Sequence, residues 1–435
     1  MSSVIKNFFI YSASALVLRG ASIIVAPLTL HLLSPSDYGL ISLIGSFASI
    51  VTILLGFGLR QVVSIEFFHY SGAQQRMLIN TVLCAYTLLA TPLCLCALFG
   101  CSLINQRIFA GAATPHLIML AVAYCFIFFF VELLYQILRY QEKVRLVTML
   151  QTGCALALIC CNCLLLMWFK VGVYSSIASY CISYGAICVW GAYKYFRSQY
   201  MPTLCIRTSV KQIPNYLKVG LPFIPTVLCS WVLSSSDRWL LARMASLHDV
   251  GLYALADTFG QLYMFIILQP ISNAYLPQLM RSFKASDNLV AVEQENRTRT
   301  IAGMVIIALV ISIGYLVCKP LAVMLLPNSY HPALAYIWYI LMGYVFLTGS
   351  YCFSAVIQFH KCQWFLSFSL VLPALCNLLL NILFIPIAGV QGCVIATLIA
   401  QIVYCAITYW YGARILKNLA TSSYKIHAVH ECIRE

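Results

Sequence analysis

Ser34-Pro35-Ser36-Asp37-Tyr38-Gly39-Leu40, carried on by Leu43 and Phe47, occurs twice in this chain in altered form. The second copy, Ser246-Leu247-His248-Asp249-Val250-Gly251-Leu252, is carried on by Leu255 and Phe259. It repeats Ser34, Asp37, Gly39, Leu40, Leu43 and Phe47 at an offset of 212 residues. Ser-x-x-Asp ahead of an apolar run is a capping box, in which the serine caps free N–H groups and the acid reaches back. Ser34, Asp37, Ser246 and Asp249 are therefore read as structural helix caps. Pro35 falls at the first helical position, where a missing N–H costs nothing. A long apolar run stands on each side of both copies, so each marks a corner between two membrane helices. The chain reads as a duplicated membrane bundle, an architecture typical of transporters.

Composition agrees. The 435 residues are 62% hydrophobic and only 9% charged, against roughly a quarter charged in soluble domains. Apolar runs of about 20 residues, each long enough to cross a bilayer, recur throughout. Twelve spans are expected near 8–33, 38–60, 77–100, 114–138, 146–168, 173–193, 219–244, 247–280, 300–318, 333–357, 364–386 and 390–413. The first contains Arg19 and no small-residue cleavage site, so it reads as a span and not a removable signal. Six spans separate the two corners, so the halves are parallel repeats. The expected fold is an all-α integral membrane protein of two six-helix lobes, 1–195 and 219–413. A basic linker over 196–218 joins them, and a tail follows over 414–435.

The net charge of +14 is a topology signal, not a nucleic-acid footprint. Of the 26 Lys and Arg, Arg107, Lys170, Arg243 and Lys319 fall in the loops on one side, and Arg19 and Arg238 fall inside spans. All the others lie on the opposite side. The positive-inside rule then places both termini in the cytoplasm. Most of the 20 cysteines lie within spans and read as small packing residues, so no metal site is expected from Cys160, Cys161 and Cys163 or from His427, His430 and Cys432 in the tail.

Ionisable side chains inside spans are few: Arg19, Glu132, Asp237, Arg238 and Asp257. Each costs about 2.5–3.5 kcal/mol at the bilayer centre on insertion scales and needs a partner or a wet cavity. Measured back from the capped corners, Arg19 lies about 22 Å and Arg238 about 12 Å deep. Two cations at staggered depths could pass an anionic group along a cleft, so both are candidate substrate-binding residues. Asp257, about 16 Å deep on the neighbouring helix, could instead pair with Arg238, and Glu132 with Arg19. Asp237, beside Ser234, Ser235 and Ser236, together with Glu132 and Asp257, forms the candidate set for coupling to H⁺ or Na⁺. Asn80, Asn162, Asn273, Asn377 and Asn381 read as helix-packing residues. No nucleotide-binding glycine loop, carboxylate pair in a loop or His/Glu metal spacing is present, which argues against an enzyme or an ATP-driven pump and implies no cofactor.

Arg19, Pro27-Leu28, the run from Leu32 to Leu40 and Gly56-x-Gly58-Leu59 resemble the opening of bacterial polysaccharide flippases. Asp237-Arg238-x-Leu240-Leu241 and Val250-Gly251-Leu252-Tyr253 resemble the start of that family's second half. The likeness is to the Wzx-type O-antigen flippases of the multidrug/oligosaccharidyl-lipid/polysaccharide (MOP) exporter superfamily, whose fold is MATE-like. It implies transfer of an undecaprenyl-pyrophosphate-linked oligosaccharide across the bacterial inner membrane, among membrane lipids and beside a polysaccharide polymerase and chain-length regulator. It also implies a cationic central cavity, to which Arg19 and Arg238 are suited. Asp257 stands where such relatives often carry a small residue. A lipid II flippase or a multidrug/cation antiporter would share the architecture, the antiporter favouring acidic lining. A membrane polysaccharide polymerase would carry a large arginine-bearing outer loop, and this chain has none.

Overall fold

The computed structural model describes residues 25–196, 206–286, 288–360 and 362–432. Among these all regular structure is helical, and nine helices are long and apolar enough to cross a membrane. One of the nine, Val371–Ile415, holds two of the expected spans. Tyr174–Gly191 stands where the sixth was expected but carries Ser175, Ser176, Ser179 and Ser183 and is too polar to count among the nine. Most of the first expected span, 8–24, lies outside the described residues. The chain divides into two compact units, Met1–Trp231 and Val232–Glu435.

Unit 1 runs through α1 (25–32), α2 (Pro35–Gly56), α3 (Leu59–Glu66), α4 (Ala73–Phe99), α5 (Cys101–Ile108), α6 (Pro115–Tyr140), α7 (Val144–Cys163), α8 (Tyr174–Gly191) and α9 (Ile206–Gly220), into the first half of α10 (Ile224–Met244). Helix α2 starts as the sequence dictates. Ser34 is extended, its Oγ accepts from the Asp37 N–H at 3.2 Å, and the Asp37 carboxylate accepts from the Ser34 N–H at 3.2 Å. The same helix ends where Phe57 and Gly58 both turn left-handed, at φ 47° and 68°. Gly58 cannot be replaced cheaply: a Cβ there would stand 2.1 Å from the Gly220 carbonyl oxygen.

Inside lipid, helices associate through close packing and hydrogen bonds, because tails are as apolar as the side chains. The core of unit 1 shows this. Tyr86 of α4 stacks on Phe129 of α6 at 3.6 Å and nearly parallel, and its hydroxyl donates to the Phe126 carbonyl at 3.1 Å. Ile44 of α2, Leu78 and Ile79 of α4, and Leu117 and Ile118 of α6 are completely or almost completely buried. Trp231 of α10 donates to Ser49 Oγ of α2 at 2.8 Å. Part of the basic linker is itself helical: Val210, Ile213 and Leu217 recur at helical spacing, and α9 packs on α3 and α4.

Unit 2 comprises the second half of α10, α11 (Leu247–Tyr263), α12 (Leu276–Ala285), α13 (Leu289–Leu325), α14 (Leu334–Phe359), α15 (Gln363–Ser369) and α16 (Val371–Cys432). The second corner caps α11: Ser246 Oγ accepts from the Asp249 N–H at 3.1 Å and donates to its carboxylate at 2.6 Å. Between α11 and α12 the chain widens twice into π-helix, Met264–Leu268 and Ile271–Tyr275, around Pro270 and just before Pro277. Helix α16 is broken at Gly389, whose φ of 55° and ψ of −130° suit glycine alone. That break separates the spans expected over 364–386 and 390–413. The core gathers Leu241, Val250, Tyr253, Ile337, Ile340, Cys393 and Val394.

Candidate functional site

The one turn of α10 that spells Ser234-Ser235-Ser236-Asp237-Arg238 sits in an otherwise apolar helix. Successive residues on a helix point about 100° apart, and Asp237 and Arg238 accordingly enter different surroundings. Asp237 is 1% exposed. Its Oδ2 accepts from the Tyr253 hydroxyl at 2.6 Å and from Thr397 Oγ1 at 2.9 Å, and its Oδ1 accepts from Asn381 Nδ2 at 2.6 Å. The network extends outward. Asn381 also donates to Asn377 Oδ1 at 3.1 Å, Asn377 Nδ2 donates to Thr397 Oγ1 at 3.3 Å, and Ser236 Oγ donates to Asn377 Oδ1 at 3.5 Å. Asn381 Oδ1 is buried with no hydrogen-bond partner among the described residues.

Arg238 turns the other way. Its Nη2 donates to Asp257 Oδ2 of α11 at 2.6 Å, and Asp257 also accepts from Gln261 Nε2 at 3.2 Å and from the Tyr344 hydroxyl at 3.3 Å. The pair is mutually neutral, so Arg238 is not a free cation in this structure. Asp237 is then a buried carboxylate met by three uncharged donors. A desolvated carboxylate costs several kcal/mol, and donor bonds to it offset part of that cost. Two carboxylates and one guanidinium share this part of unit 2, a balance more acidic than the cationic cavity implied by the resemblance. Arg238 Nε is buried without a partner among the described residues.

Unit 1 carries its own charged pair. Arg60, two residues past Gly58, donates through Nη2 to Glu132 Oε2 of α6 at 3.0 Å. Gln136, one turn along α6, donates to the Arg60 carbonyl at 3.0 Å and to Ser64 Oγ at 2.7 Å. Beside them lies a cavity of about 130 Å³, lined by Thr52, Gly56, Gly58, Arg60, Gln61 and Phe128 among others. Arg19, the other partner considered for Glu132, lies outside the described residues, as do the side chains of the tail cluster His427, His430 and Cys432. Ser34, Asp37, Ser246 and Asp249 bond within their own corners.

The sequence singled out Asp237, Arg238 and Asp257 but missed Asn377, Asn381, Thr397 and Tyr253. A signal existed: Asn377 and Asn381 are four residues apart in an apolar run and therefore share a helix face, and both are completely buried. Arg60 was counted with the topology charges because it sits at the end of a span.

Residues 4–283 match the family described as polysaccharide biosynthesis protein. The chain belongs to that family. No curated protein matches it. Among solved structures it is similar to an inward-facing multidrug resistance MATE family transporter of the MOP superfamily, with a TM-score of 0.70 at 15% identity, covering 94% of this chain and 96% of that one. It is also similar to the lipid II flippase MurJ in an inward closed conformation, with a TM-score of 0.67 at 16% identity over 94% and 86% of the two chains. A third likeness is a MOP superfamily transporter from Pyrococcus furiosus, described as having a binding pocket of reverse polarity. There the TM-score is 0.60 at 15% identity over 95% and 96%. At these identities the likeness is one of fold. The chain is a multi-pass membrane protein of the polysaccharide biosynthesis family, helical throughout its described residues, with the fold of the solved MATE and lipid II flippase structures.

Proposed function

We propose that this polysaccharide biosynthesis protein is a flippase that carries an undecaprenyl-pyrophosphate-linked oligosaccharide, an O-antigen or related repeat unit, from the cytoplasmic to the periplasmic leaflet of the bacterial inner membrane. The observation that carries the reading is the buried Asp237, Arg238 and Asp257 cluster in a membrane-spanning unit of a chain from this family. Charges of this kind persist in hydrocarbon where they serve a translocation path. A diphosphate cannot cross lipid unaided, and a guanidinium suits it because its planar fork meets two oxygens at once. On this reading Arg238 exchanges Asp257 for the diphosphate during alternating access, and Arg19 supplies a second cation. The polyprenyl tail stays among membrane lipids, and a polymerase and chain-length regulator act on the delivered unit.

Asp237 is the coupling residue of this reading. Its carboxylate, the amide oxygens of Asn377 and Asn381 and the Thr397 hydroxyl form an oxygen-rich set that fits a small hard cation, and the orphaned Asn381 oxygen fits it too. A proton on Asp237 would serve the same end. Protonation or cation binding neutralises the one carboxylate of the cluster without an ion-pair partner, so the gradient or the membrane potential is read there.

The test is complementation of a strain lacking its polysaccharide flippase, scored by surface polysaccharide. Wild type restoring it while Arg238→Gln and Asp237→Asn do not, at equal membrane levels, is the expected result. Full activity in both variants would sink the reading. A second reading, a multidrug or cation antiporter, is favoured by the two carboxylates against one guanidinium in the Asp237, Arg238 and Asp257 cluster. It predicts drug resistance in place of polysaccharide. Rescue of a lipid II flippase mutant alone would reassign the substrate.

A further inference from the structure

A second cavity, of about 200 Å³, opens in unit 2 beside the basic end of α13. The sequence creates it in two ways. The π-helical turn Ile271–Tyr275 widens the path between α11 and α12, and Gly303 of α13 leaves space where a Cβ would meet nothing within 4 Å. Ile271, Met304, Ile307 and Cys352 of α14 give it an apolar lining. Its rim is polar. The Tyr275 hydroxyl donates to Asn296 Oδ1 at 2.9 Å, and Thr300 Oγ1, which also meets Tyr275, donates to the same atom at 3.4 Å.

Among the described residues the rim has one exchangeable cation. Arg297 is committed elsewhere: it is bonded to the fully buried Glu293 at 3.0 Å and to the Tyr409 carbonyl at 3.0 Å, and it stacks over the Tyr409 ring at 4.5 Å. Arg299, in contrast, lines the cavity with its side chain 67% exposed, and its ion-pair partner among the described residues is Glu295, itself 59% exposed. An exposed pair of this kind is weak and gives way to a better-placed anion. Immediately beyond Arg299 the helix turns apolar and outward-facing: Val305, Ile306, Leu309, Val310, Ile313, Leu316 and Val317 are all exposed, and none of the most apolar window of α13 is buried. The cavity therefore stands where a headgroup layer gives way to acyl chains.

From this geometry we infer a binding site for an acidic membrane phospholipid. One acyl chain enters between Ile271, Met304 and Ile307, the phosphate displaces Glu295 from Arg299, and headgroup hydroxyls donate to Tyr275 and Thr300. Basic pockets between membrane helices take anionic headgroups in this way. The site is separate from the Asp237 and Arg238 cluster and does not depend on which substrate the protein carries.

Native mass spectrometry of the purified full chain tests it, with phosphatidylglycerol and phosphatidylcholine as the added lipids. Wild type should retain phosphatidylglycerol in preference. Arg299→Gln should lower that retention about fivefold and leave phosphatidylcholine unchanged. Glu295→Gln, which frees the arginine, should raise it. Gly303→Leu, whose side chain enters the cavity, should abolish retention; should it fail to fold, the two exposed rim variants decide alone. Equal retention of the two lipids by wild type, or phosphatidylglycerol retention in Arg299→Gln and Glu295→Gln equal to wild type, overturns the proposal. So does displacement of phosphatidylglycerol by an equimolar polyprenyl diphosphate, because the site would then belong to the substrate.

Discussion

Arg238 donates to Asp257 across 2.6 Å, and the two side chains are only 11% and 12% exposed. A pair this well desolvated behaves as a unit. Removing one partner strands the other charge and costs about 3–5 kcal/mol, whereas removing both is far milder. Arg238→Gln and Asp257→Asn should each lower the melting temperature in detergent by more than the double variant does. A double variant as unstable as the sum of the two would show that the pair is not coupled.

Asp237→Asn tests a different property. Asparagine offers one acceptor oxygen where the carboxylate offers two to Tyr253, Thr397 and Asn381, so about 1–3 kcal/mol of stability should be lost. Thermal unfolding in detergent measures that loss. In proteoliposomes, transport by wild type should respond to an imposed Na⁺ or pH gradient, and the Asn variant should lose that response. A variant that transports with unchanged gradient dependence removes Asp237 from coupling.

Gly58→Ala should be among the worst single substitutions in unit 1. Left-handed backbone costs a Cβ-bearing residue about 1–2 kcal/mol even with free space, and here the added carbon would meet the Gly220 carbonyl. Gly56, two residues earlier, has nothing within 4 Å of its ideal Cβ. Membrane levels of fluorescent fusions should fall sharply for Gly58→Ala and stay near wild type for Gly56→Ala.

The two capped corners predict a matched pair of small effects. Ser34→Ala and Ser246→Ala should each cost about 1 kcal/mol and leave polysaccharide export intact in a complementation assay. Loss of export without loss of protein would give the corner a role beyond capping.

Much of the fold was legible because its signals are local. The capping boxes at Ser34 and Ser246 need only four residues, and the glycine between the last two spans sits where the apolar run is interrupted. The site was half legible. Asp237, Arg238 and Asp257 stand out because charges are rare in such spans. Their partners do not: an Asn or Thr on a distant helix looks like a packing residue until the fold sets it against a carboxylate, as it does Asn381 and Thr397. Arg60 was hidden differently, since an arginine at a span's end reads as topology until the left-handed turn at Phe57 and Gly58 brings it against Glu132.

That turn has an electrostatic consequence. By ending one helix and starting another at Leu59, one residue before Arg60, it places a guanidinium in the first turn of α3, where the aligned peptide dipoles already supply roughly half a positive charge. Glu132 therefore answers two positive sources at once, and neutralising it would leave repulsion between a side chain and its own helix.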